Sequence, residues 1–189
     1  KCKSLHEHNE KEASSQIIKM LSNSDIDIAL VSDAGTPTIS DPGYYLVQKC
    51  IDNNIEFTLI PGPSSVINAL VLSGLPTSSF SFLGFLPRKK SQKIKFIQSL
   101  KKEKNTIILF ESAKRIESTL SCIADEYSKN KKISLCREMT KLHENIERGT
   151  AIYLLKKISN GELILKGEFV VAIEPFSLKD NDFIFDNKI

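Results

Sequence analysis

Short apolar runs rich in β-branched residues alternate along the chain with segments in which apolar residues recur at helical spacing. Residues 28–31 and 55–60 are two such runs and predict strands, and residues 46–51 between them predict a helix. A strand, a helix and a second strand in so few residues form a right-handed crossover, the unit of parallel sheets. The pattern therefore predicts an α/β protein.

Capping residues predict where two helices of the first half begin. Asp41 and Pro42 predict the N-cap and first position of the crossover helix. Ser64 or Ser65 is predicted to cap a helix over residues 66–73.

The alternation continues in the second half of the chain. Strands are predicted there from short apolar runs, and helices from apolar residues that recur on one face. The predicted strands are residues 80–85, 106–110, 133–136 and 169–173, and the predicted helices are residues 93–100, 115–127 and 151–158, with a further helix near the N-terminus over residues 10–21.

A segment rich in glycine, proline and serine, residues 73–79, is the best candidate for a linker. It predicts a partial N-terminal α/β domain over residues 1–76 and a C-terminal α/β domain over residues 77–176. Residues 177–189 are predicted to form a weakly specified tail.

Two Gly/Pro corners directly follow the first two predicted strands. SDAGTP occupies residues 32–37 and PGPSS residues 61–65. If the strands are parallel neighbours, both corners emerge at the carboxyl edge of one sheet, where open α/β sheets bind ligands. The second corner also opens a helix, whose free N–H groups attract a carboxylate, phosphate or carbonyl oxygen. The corners predict a ligand site; the alternative is that they only redirect the chain.

Length, cysteines and hydropathy limit the class of protein. The 189 residues include four widely spaced cysteines without a Cys-x-x-Cys pair, so buried free thiols and a reducing cytoplasm are expected. No apolar run approaches the roughly 20 residues of a membrane span, and the N-terminus is too polar for a signal peptide. We therefore expect a soluble cytoplasmic protein without a metal site.

Basic residues are concentrated in two clusters although the net charge is only +3. The first follows Gly84 and Pro87 and so lies on a loop, where a basic arm can reach phosphates; the alternative is a solvated surface. The second fits a solvated helix face. The first cluster comprises Arg88, Lys89, Lys90, Lys93 and Lys95, and the second Lys101, Lys102 and Lys104.

Five motifs in a fixed order carry a resemblance to a known family. They are VSDAGTPTISDPGYYLV, IPGPSSVINALVLSGLPTSSFSFLGFLPRK, FESAKRIESTL, CREMTKLHE and RGT. From about His6 to Glu174 the chain resembles the RsmI-type ribosomal RNA small subunit methyltransferases, which belong to the tetrapyrrole methylase superfamily. The resemblance implies two α/β domains with S-adenosylmethionine bound in the cleft between them, and a homodimer. It also implies methylation of the ribose 2'-hydroxyl of a cytidine in the decoding region of small-subunit ribosomal RNA.

One part of the family pattern has no counterpart here. Members begin with a strand, a TPIGN-like glycine loop, a helix and a strand ending near AEDTR, all upstream of the segment HEHNE at residues 6–10. The resemblance therefore predicts a fragment whose first domain is truncated at its N-terminus. We expect such a fragment to expose a sheet edge and to lack activity in isolation.

The first corner is implied to bind the cofactor. Its residues Gly35, Thr36, Pro37 and Ile39 match the superfamily's G-D-P-x-I turn, with Thr36 where many relatives carry aspartate. Asp33 is expected to supply a carboxylate for the cofactor's ammonium or ribose hydroxyls; the alternative is a turn cap.

Three further residues are implied to line the cofactor. Ser64 and Ser65 match the PG-x-S-S corner of the superfamily, whose donors would meet the methionine end of the cofactor. Met139 matches a position beside the adenine, although a lone Met is commonly plain core.

Methyl transfer from a sulfonium is an in-line displacement, so the main contribution expected of the protein is placement of the 2'-oxygen. The hydroxyl proton must leave, and a base or a proton-accepting water is expected. The base candidates are Glu111, Glu138, Lys166 and Glu168. Burial at a strand end would raise the pKa of a glutamate, whereas an ion pair with Arg115 or Arg137 would make it structural; the residues alone leave this open.

RNA phosphates are expected to be held by Arg88, Lys89, Lys90 and Arg115, with specificity from RNA shape and a splayed base.

Rival functions are a same-fold methyltransferase acting on a tetrapyrrole or on the diphthamide precursor, and an inactive fragment that only binds RNA or a partner. The basic arm favours a polyanionic substrate, and the two corners argue against pure binding. An unrelated nucleotide-binding protein lacks support, since neither G-x-G-x-x-G nor a P-loop motif occurs.

Overall fold

A mixed five-stranded sheet lies at the centre of the second of two compact units into which the chain divides. The computed structural model describes residues 2–33 and 35–176. The first unit ends at Ser64 and the second begins at Ser65. The predicted tail, residues 177–189, lies outside the described residues.

Two helices form the core of the first unit. Helix α1 spans Glu10–Asn23 and helix α2 spans Tyr44–Asp52, which confirms both predicted helices. Buried apolar residues at helical spacing join them. These are Ile17 and Ile18 of α1 and Leu46 and Cys50 of α2.

The start of α2 differs from the prediction. The helix begins at Tyr44 rather than near Asp41 and Pro42. Glu10 Oε1 accepts hydrogen bonds from the backbone N–H groups of Gly43 and Tyr45, at 2.8 and 2.9 Å. The prediction of a local cap was therefore wrong, because a carboxylate from α1 satisfies the first N–H groups of α2.

The two strands predicted in the first unit do not form. Among the described residues of this unit none lies in a strand, and residues 28–31 and 55–60 belong to no regular element. Their apolar side chains are largely exposed, at 80% for Val31 and 85% for Ile60. The apolar pattern predicts an extended backbone, but a strand also requires a hydrogen-bonded partner.

The remaining α-helices and strands of residues 2–33 and 35–176 lie in the second unit. Its helices are α3 (Ser65–Ser73), α4 (Lys90–Ser99), α5 (Ile116–Glu126) and α6 (Ala151–Ser159). Its strands are β1 (Phe80–Phe85), β2 (Thr106–Ser112), β3 (Lys132–Arg137), β4 (Asn145–Thr150) and β5 (Glu168–Ile173). All predicted elements of this half are confirmed, and β4 was not predicted.

The strand order is β1-β2-β5-β3-β4. Only the pair β1–β2 is parallel, and the other three pairs are antiparallel. Side chains of alternate residues therefore enter two apolar clusters on opposite faces. Ile107 and Leu109 pack with α4, α5 and α6, whereas Ile108 packs with α3. Both faces of the sheet are covered by helices.

The predicted linker, residues 73–79, connects α3 to β1 inside the second unit. Thr106 Oγ1 donates a 2.7 Å hydrogen bond to the carbonyl of Pro76, which ties the segment to β2. Helix α3 packs on β2, β3 and β5. The compact units thus divide before α3, and the domain boundary at residue 76 stays a prediction.

Candidate functional site

The carboxyl ends of β1, β2 and β3 meet at one edge of the sheet, next to the start of β5. Phe85 pairs with Phe110, and Ser112 pairs with Glu168. Arg137 pairs with Phe169. The predicted site residues on the strands and loops at this edge are Arg88, Lys89, Lys90, Glu111, Arg115, Glu138, Met139, Lys166 and Glu168.

Glu111 is buried and fully engaged. Oε2 accepts hydrogen bonds from Thr119 Oγ1 at 2.8 Å and from Arg115 Nη2 at 3.0 Å. Oε1 accepts a hydrogen bond from the N–H of Ser112 at 2.9 Å. It also lies 3.0 Å from Arg115 Nε in an ion pair, although the Nε–H group is not aligned for a hydrogen bond. These contacts are typical of a structural carboxylate rather than of a base that must accept a proton.

Glu138 closes a reciprocal contact with β5. Its N–H donates to the carbonyl of Glu168 at 3.0 Å, and its Oε1 accepts from the N–H of Glu168 at 2.8 Å. Lys141 Nζ lies 3.2 Å from the same oxygen. The N–H of Glu168 and the amino group of Lys141 hold the pKa of Glu138 below its usual range. A lowered pKa disfavours a base at neutral pH.

Lys141 also bridges to the carboxylate of Glu168, at 2.8 Å, and its pKa is raised first by this hydrogen bond. Glu168 is exposed, with 73% of its side chain accessible. Lys166 is exposed too, and its carbonyl accepts a 2.7 Å hydrogen bond from Arg137 Nε. Glu168 and Lys166 therefore present their side chains at the surface of this edge.

The loop after β3 is held by hydrogen bonds between its own residues. Glu138 and Thr140 have positive φ, at +49° and +65°. The N–H of Thr140 donates to Glu144 Oε2 at 2.7 Å. Met139 turns inward and packs against the apolar cluster that contains Val66 and Ala69 of α3. The structure thus places Met139 against the apolar cluster to which the helix that begins at Ser65 contributes.

The predicted RNA contacts divide into two groups. Arg88, Lys89 and Lys90 are exposed, and no hydrogen bond or ion pair engages their side chains among the residues described here. Arg115 points inward: Nη2 donates to the carbonyls of Leu86 at 2.7 Å and Pro87 at 3.3 Å.

Lys93, which belongs to the first basic cluster of the sequence, is buried. Its amino group donates to Ser118 Oγ at 2.8 Å and to Thr119 Oγ1 at 3.3 Å. It is therefore not part of the exposed charge.

The first corner forms a tight turn. Ser32 Oγ donates to the carbonyl of Gly35 at 3.2 Å, and the N–H of Ile39 donates to the carbonyl of Thr36 at 3.3 Å. Positive φ occurs at Gly35, at Thr38 and at Ser40, with values of +74°, +73° and +61°. Non-glycine residues rarely adopt this conformation, and they cluster at binding sites.

The other predicted cofactor residues belong to the two corners, residues 32–37 and 61–65. Asp33 is exposed, and Thr36 and Pro37 are half-buried. Ser64 and Ser65 are half-buried, and α3 begins at Ser65 without an acidic side chain in its first turn.

Sequence reasoning missed two residues that organise these sites. Glu10, the first residue of α1, caps α2 although it lies more than 30 residues earlier in the chain. A local sequence pattern does not predict a contact of this kind. Gly167 lies under the Glu138 carboxylate, where its Cβ would stand 2.5 Å from Cδ. A glycine directly before a strand was the available signal for Gly167.

An open depression of about 520 Å³ lies near the end of α2, lined by Ile51, Asn54, Ile55, Glu56 and Phe57. It contains no predicted site residue. Among residues 2–33 and 35–176 there is no group of His, Cys, Asp and Glu suited to a metal ion. No helix in that part of the chain is long and apolar enough to cross a membrane.

Comparison with known families gives a match over most of the chain. The family model described as Tetrapyrrole (Corrin/Porphyrin) Methylases matches residues 1–153. A relative from Buchnera aphidicola subsp. Baizongia pistaciae, named ribosomal RNA small subunit methyltransferase I, is 37% identical over 97% of this chain and 62% of its own. Seven further relatives with that name are 40 to 42% identical. The chain spans about three fifths of the length of the first of these relatives.

Solved structures share the fold at low identity. The methyltransferase CobJ has a TM-score of 0.62 and 15% identity, over 88% of this chain and 71% of its own. The uroporphyrin-III C-methyl transferase from Thermus thermophilus, complexed with S-adenyl homocysteine, has a TM-score of 0.55 and 11% identity, over 87% of this chain and 73% of its own.

Proposed function

Because the chain belongs to the tetrapyrrole methylase family, we propose that it is part of a cytoplasmic S-adenosylmethionine-dependent methyltransferase. Its proposed substrate is the ribose 2'-hydroxyl of a cytidine in small-subunit ribosomal RNA. The observation that carries this proposal is the 37 to 42% identity to relatives named ribosomal RNA small subunit methyltransferase I. The exposed basic arm, Arg88–Lys90, supports a polyanionic substrate over a tetrapyrrole.

The cofactor is proposed to bind at the two corners. The first turn of α3 carries no acidic side chain, so its N–H groups and the hydroxyls of Ser64 and Ser65 fit a carboxylate. Gly35 and Thr36 would present backbone groups in the turn before Pro37. Asp33 is exposed and would accept from an ammonium or from ribose hydroxyls.

The remaining proposed contacts of the cofactor are apolar. Ile39 is exposed at the first corner, and Met139 packs beside α3. Both would offer apolar surface to the adenine. When bound, S-adenosylmethionine supplies an electrophilic methyl group on a sulfonium. The chain contributes by holding the attacking oxygen in line with the methyl group. In well-oriented reactions such placement lowers the activation free energy by about 7 to 11 kcal/mol.

Among the four base candidates, Glu168 and Lys166 have the exposed side chains, and Lys141 engages one carboxylate oxygen of Glu168 at 2.8 Å. Glu111 is engaged by Arg115 and Thr119, and the pKa of Glu138 is lowered by the Glu168 N–H. We therefore propose Glu168 or Lys166, or a water bound beside them, as the proton acceptor. The homodimer is proposed on the family resemblance alone.

The test begins with calorimetric titration of S-adenosylhomocysteine into the chain, with ATP as the control ligand. We expect binding of the former only. Replacement of Ser64 and Ser65 together by alanine should weaken binding, whereas Ser78→Ala and Ser79→Ala, on the segment before β1, should not. Equal binding of ATP would contradict a methyl-donor site.

The substrate is tested by transfer of a labelled methyl group to transcribed small-subunit ribosomal RNA, with uroporphyrinogen III as the competing substrate. Label recovered as 2'-O-methylcytidine after nuclease digestion is expected. Label in the tetrapyrrole, or in a base of the RNA, would contradict the proposed acceptor. If cofactor binds but no transfer occurs, the assay is repeated with the chain joined to the N-terminal segment of a relative, and failure there would reject the proposed reaction.

A further inference from the structure

Three exposed cations form a short arm between two regular elements. Strand β1 ends at Phe85, and α4 begins at Lys90. Arg88, Lys89 and Lys90 lie between or at these ends, and Lys89 is extended, with φ of −72° and ψ of 128°. A free segment of this kind loses conformational entropy when it binds a ligand, so its affinity depends on how firmly its ends are held.

Arg115 holds the first end of this arm. Its Nη2 group donates to the carbonyls of Leu86 and Pro87, at 2.7 and 3.3 Å, and to Glu111 Oε2 at 3.0 Å. The side chain is 23% exposed, and that of Glu111 is inaccessible. The guanidinium is thus directed toward the backbone of the arm and not toward solvent.

Lys93 holds the second end, because it lies in the first turn of α4. Its amino group is bonded to Ser118 and Thr119 of α5. Thr119 Oγ1 in turn donates to Glu111 Oε2 at 2.8 Å. Both ends of the arm are therefore fastened to one largely buried network centred on Glu111, and its hydrogen bonds limit the motion of the groups that they join.

We propose that Arg115 is a positioning residue, which fixes the basic arm through the carbonyls of Leu86 and Pro87 so that the arm can bind RNA phosphates, and is not itself a phosphate ligand. The RNA part of this statement rests on the proposed function. The mechanical part, in which Arg115 limits the motion of the arm, does not.

Arg115→Lys separates positioning from phosphate binding. Lysine keeps the positive charge beside Glu111, but its single amino group cannot reach the carboxylate and two carbonyls at once. A phosphate contact that depends on charge alone would survive this change. A positioning role predicts a roughly fivefold loss of affinity for transcribed small-subunit ribosomal RNA, on the scale of one lost hydrogen bond.

A double-mutant cycle tests whether the loss acts through the arm. In a chain with Arg88, Lys89 and Lys90 all changed to alanine, we expect Arg115→Lys to have no further effect on RNA affinity. The same factor of loss in both backgrounds would overturn the proposal. Arg148→Lys is the matched control, because Arg148 also donates to a backbone carbonyl, that of Leu72, at another place in the sheet; its effect should not depend on the arm.

A second readout needs no RNA. Limited trypsin digestion measures the rate of cleavage after residues 88–90 relative to the rate after Lys101 and Lys102, which serve as an internal reference in the same unit. Arg115→Lys should raise this ratio of rates roughly fivefold over that of the wild-type chain. An unchanged ratio overturns the proposal whether or not RNA binds. A different result is also informative: the ratio is raised in Arg115→Lys, but the wild-type chain does not bind RNA. This result overturns the proposed RNA substrate and the RNA part of this inference.

Discussion

The carboxyl group of Glu138 lies directly against the backbone of Gly167. A Cβ atom at Gly167 would stand 2.5 Å from Cδ of Glu138, and Gly167 has φ of +87°. Both facts require glycine at this position. The close approach keeps Glu138 Oε1 at 2.8 Å from the N–H of Glu168, so one glycine fixes the contact between the loop after β3 and the start of β5.

Gly167→Ala should therefore destabilise the second unit through two effects. The left-handed conformation costs an L-residue about 1 to 2 kcal/mol. Displacement of Glu138 would add a further loss of stability, because the Glu168 N–H loses its protein acceptor. Urea unfolding of the two proteins measures the sum.

Gly161→Ala is the matched control for this comparison. Gly161 has φ of +74°, but a Cβ atom added there would have no neighbour within 4 Å among the described residues. Gly161→Ala should therefore lower the free energy of unfolding only by the cost of the left-handed backbone conformation. Equal losses at the two glycines would contradict a role for the Glu138 contact.

The charge of Glu138 should give the protein a pH-dependent stability. Its pKa is lowered in the folded state by the Glu168 N–H and by Lys141. A depressed pKa contributes stability that is present above the unfolded value of about 4.3 and is lost as pH falls through the folded value. The difference in urea midpoint between wild type and Glu138→Gln should thus be constant near neutral pH and shrink below about pH 4.3.

Glu117→Gln serves as the control for pH, because it removes an exposed carboxylate from the first turn of α5 in the same unit. Its midpoint difference from wild type should change less between pH 7 and pH 3 than that of Glu138→Gln. A Glu138→Gln difference that grew on acidification would have the wrong sign for the proposed contact.

The elements of the second unit were predictable because their apolar runs are buried against helices on both faces. Strand β4 was missed, since NIERGT has no apolar run: the strand forms through pairing with β3 from Lys132 to Arg137. The motif RGT, quoted for its family resemblance, lies at the end of this strand. Arg148 donates to the carbonyl of Leu72, the ring of Tyr153 packs against Gly149, and Thr150 caps α6.

The candidate site was predictable to a smaller extent. The pattern correctly placed Glu111 and Glu138 at the ends of β2 and β3, because strand ends follow from apolar runs. It could not say that Glu111 would be enclosed by Arg115 and Thr119, since those contacts depend on how α5 packs. The prediction of strands over residues 28–31 and 55–60 was wrong for a related reason. Pairing into a sheet depends on the neighbouring strands and not on a single apolar run.

Glu10 should control the start of α2. Glu10→Ala removes the acceptor for the N–H groups of Gly43 and Tyr45 and should cost about 1 to 2 kcal/mol, as loss of a helix cap does. Hydrogen exchange at those two amides should accelerate. Glu10→Gln keeps the acceptor oxygen and should have a smaller effect.

Glu12→Ala is the control within the same turn of α1, because Glu12 accepts only a 3.4 Å hydrogen bond from Gln16. Exchange at Gly43 and Tyr45 should then stay at the wild-type rate. Acceleration by Glu12→Ala as large as that by Glu10→Ala would mean that α1 itself had frayed, and would contradict a cap across the two helices.

The basic arm should be visible in the salt dependence of RNA binding. Replacement of Arg88, Lys89 and Lys90 by alanine should reduce the slope of log affinity against log salt by about 0.7 for each phosphate that is no longer neutralised, or about 2 in all. The matched control changes Lys101, Lys102 and Lys104 to alanine, which removes the same charge from an exposed turn after α4. If the arm binds phosphates, only the first triple variant shows the reduced slope, and both keep affinity for S-adenosylhomocysteine. Equal reductions of the slope would mean that RNA responds to net charge alone, and the arm would then have no particular role.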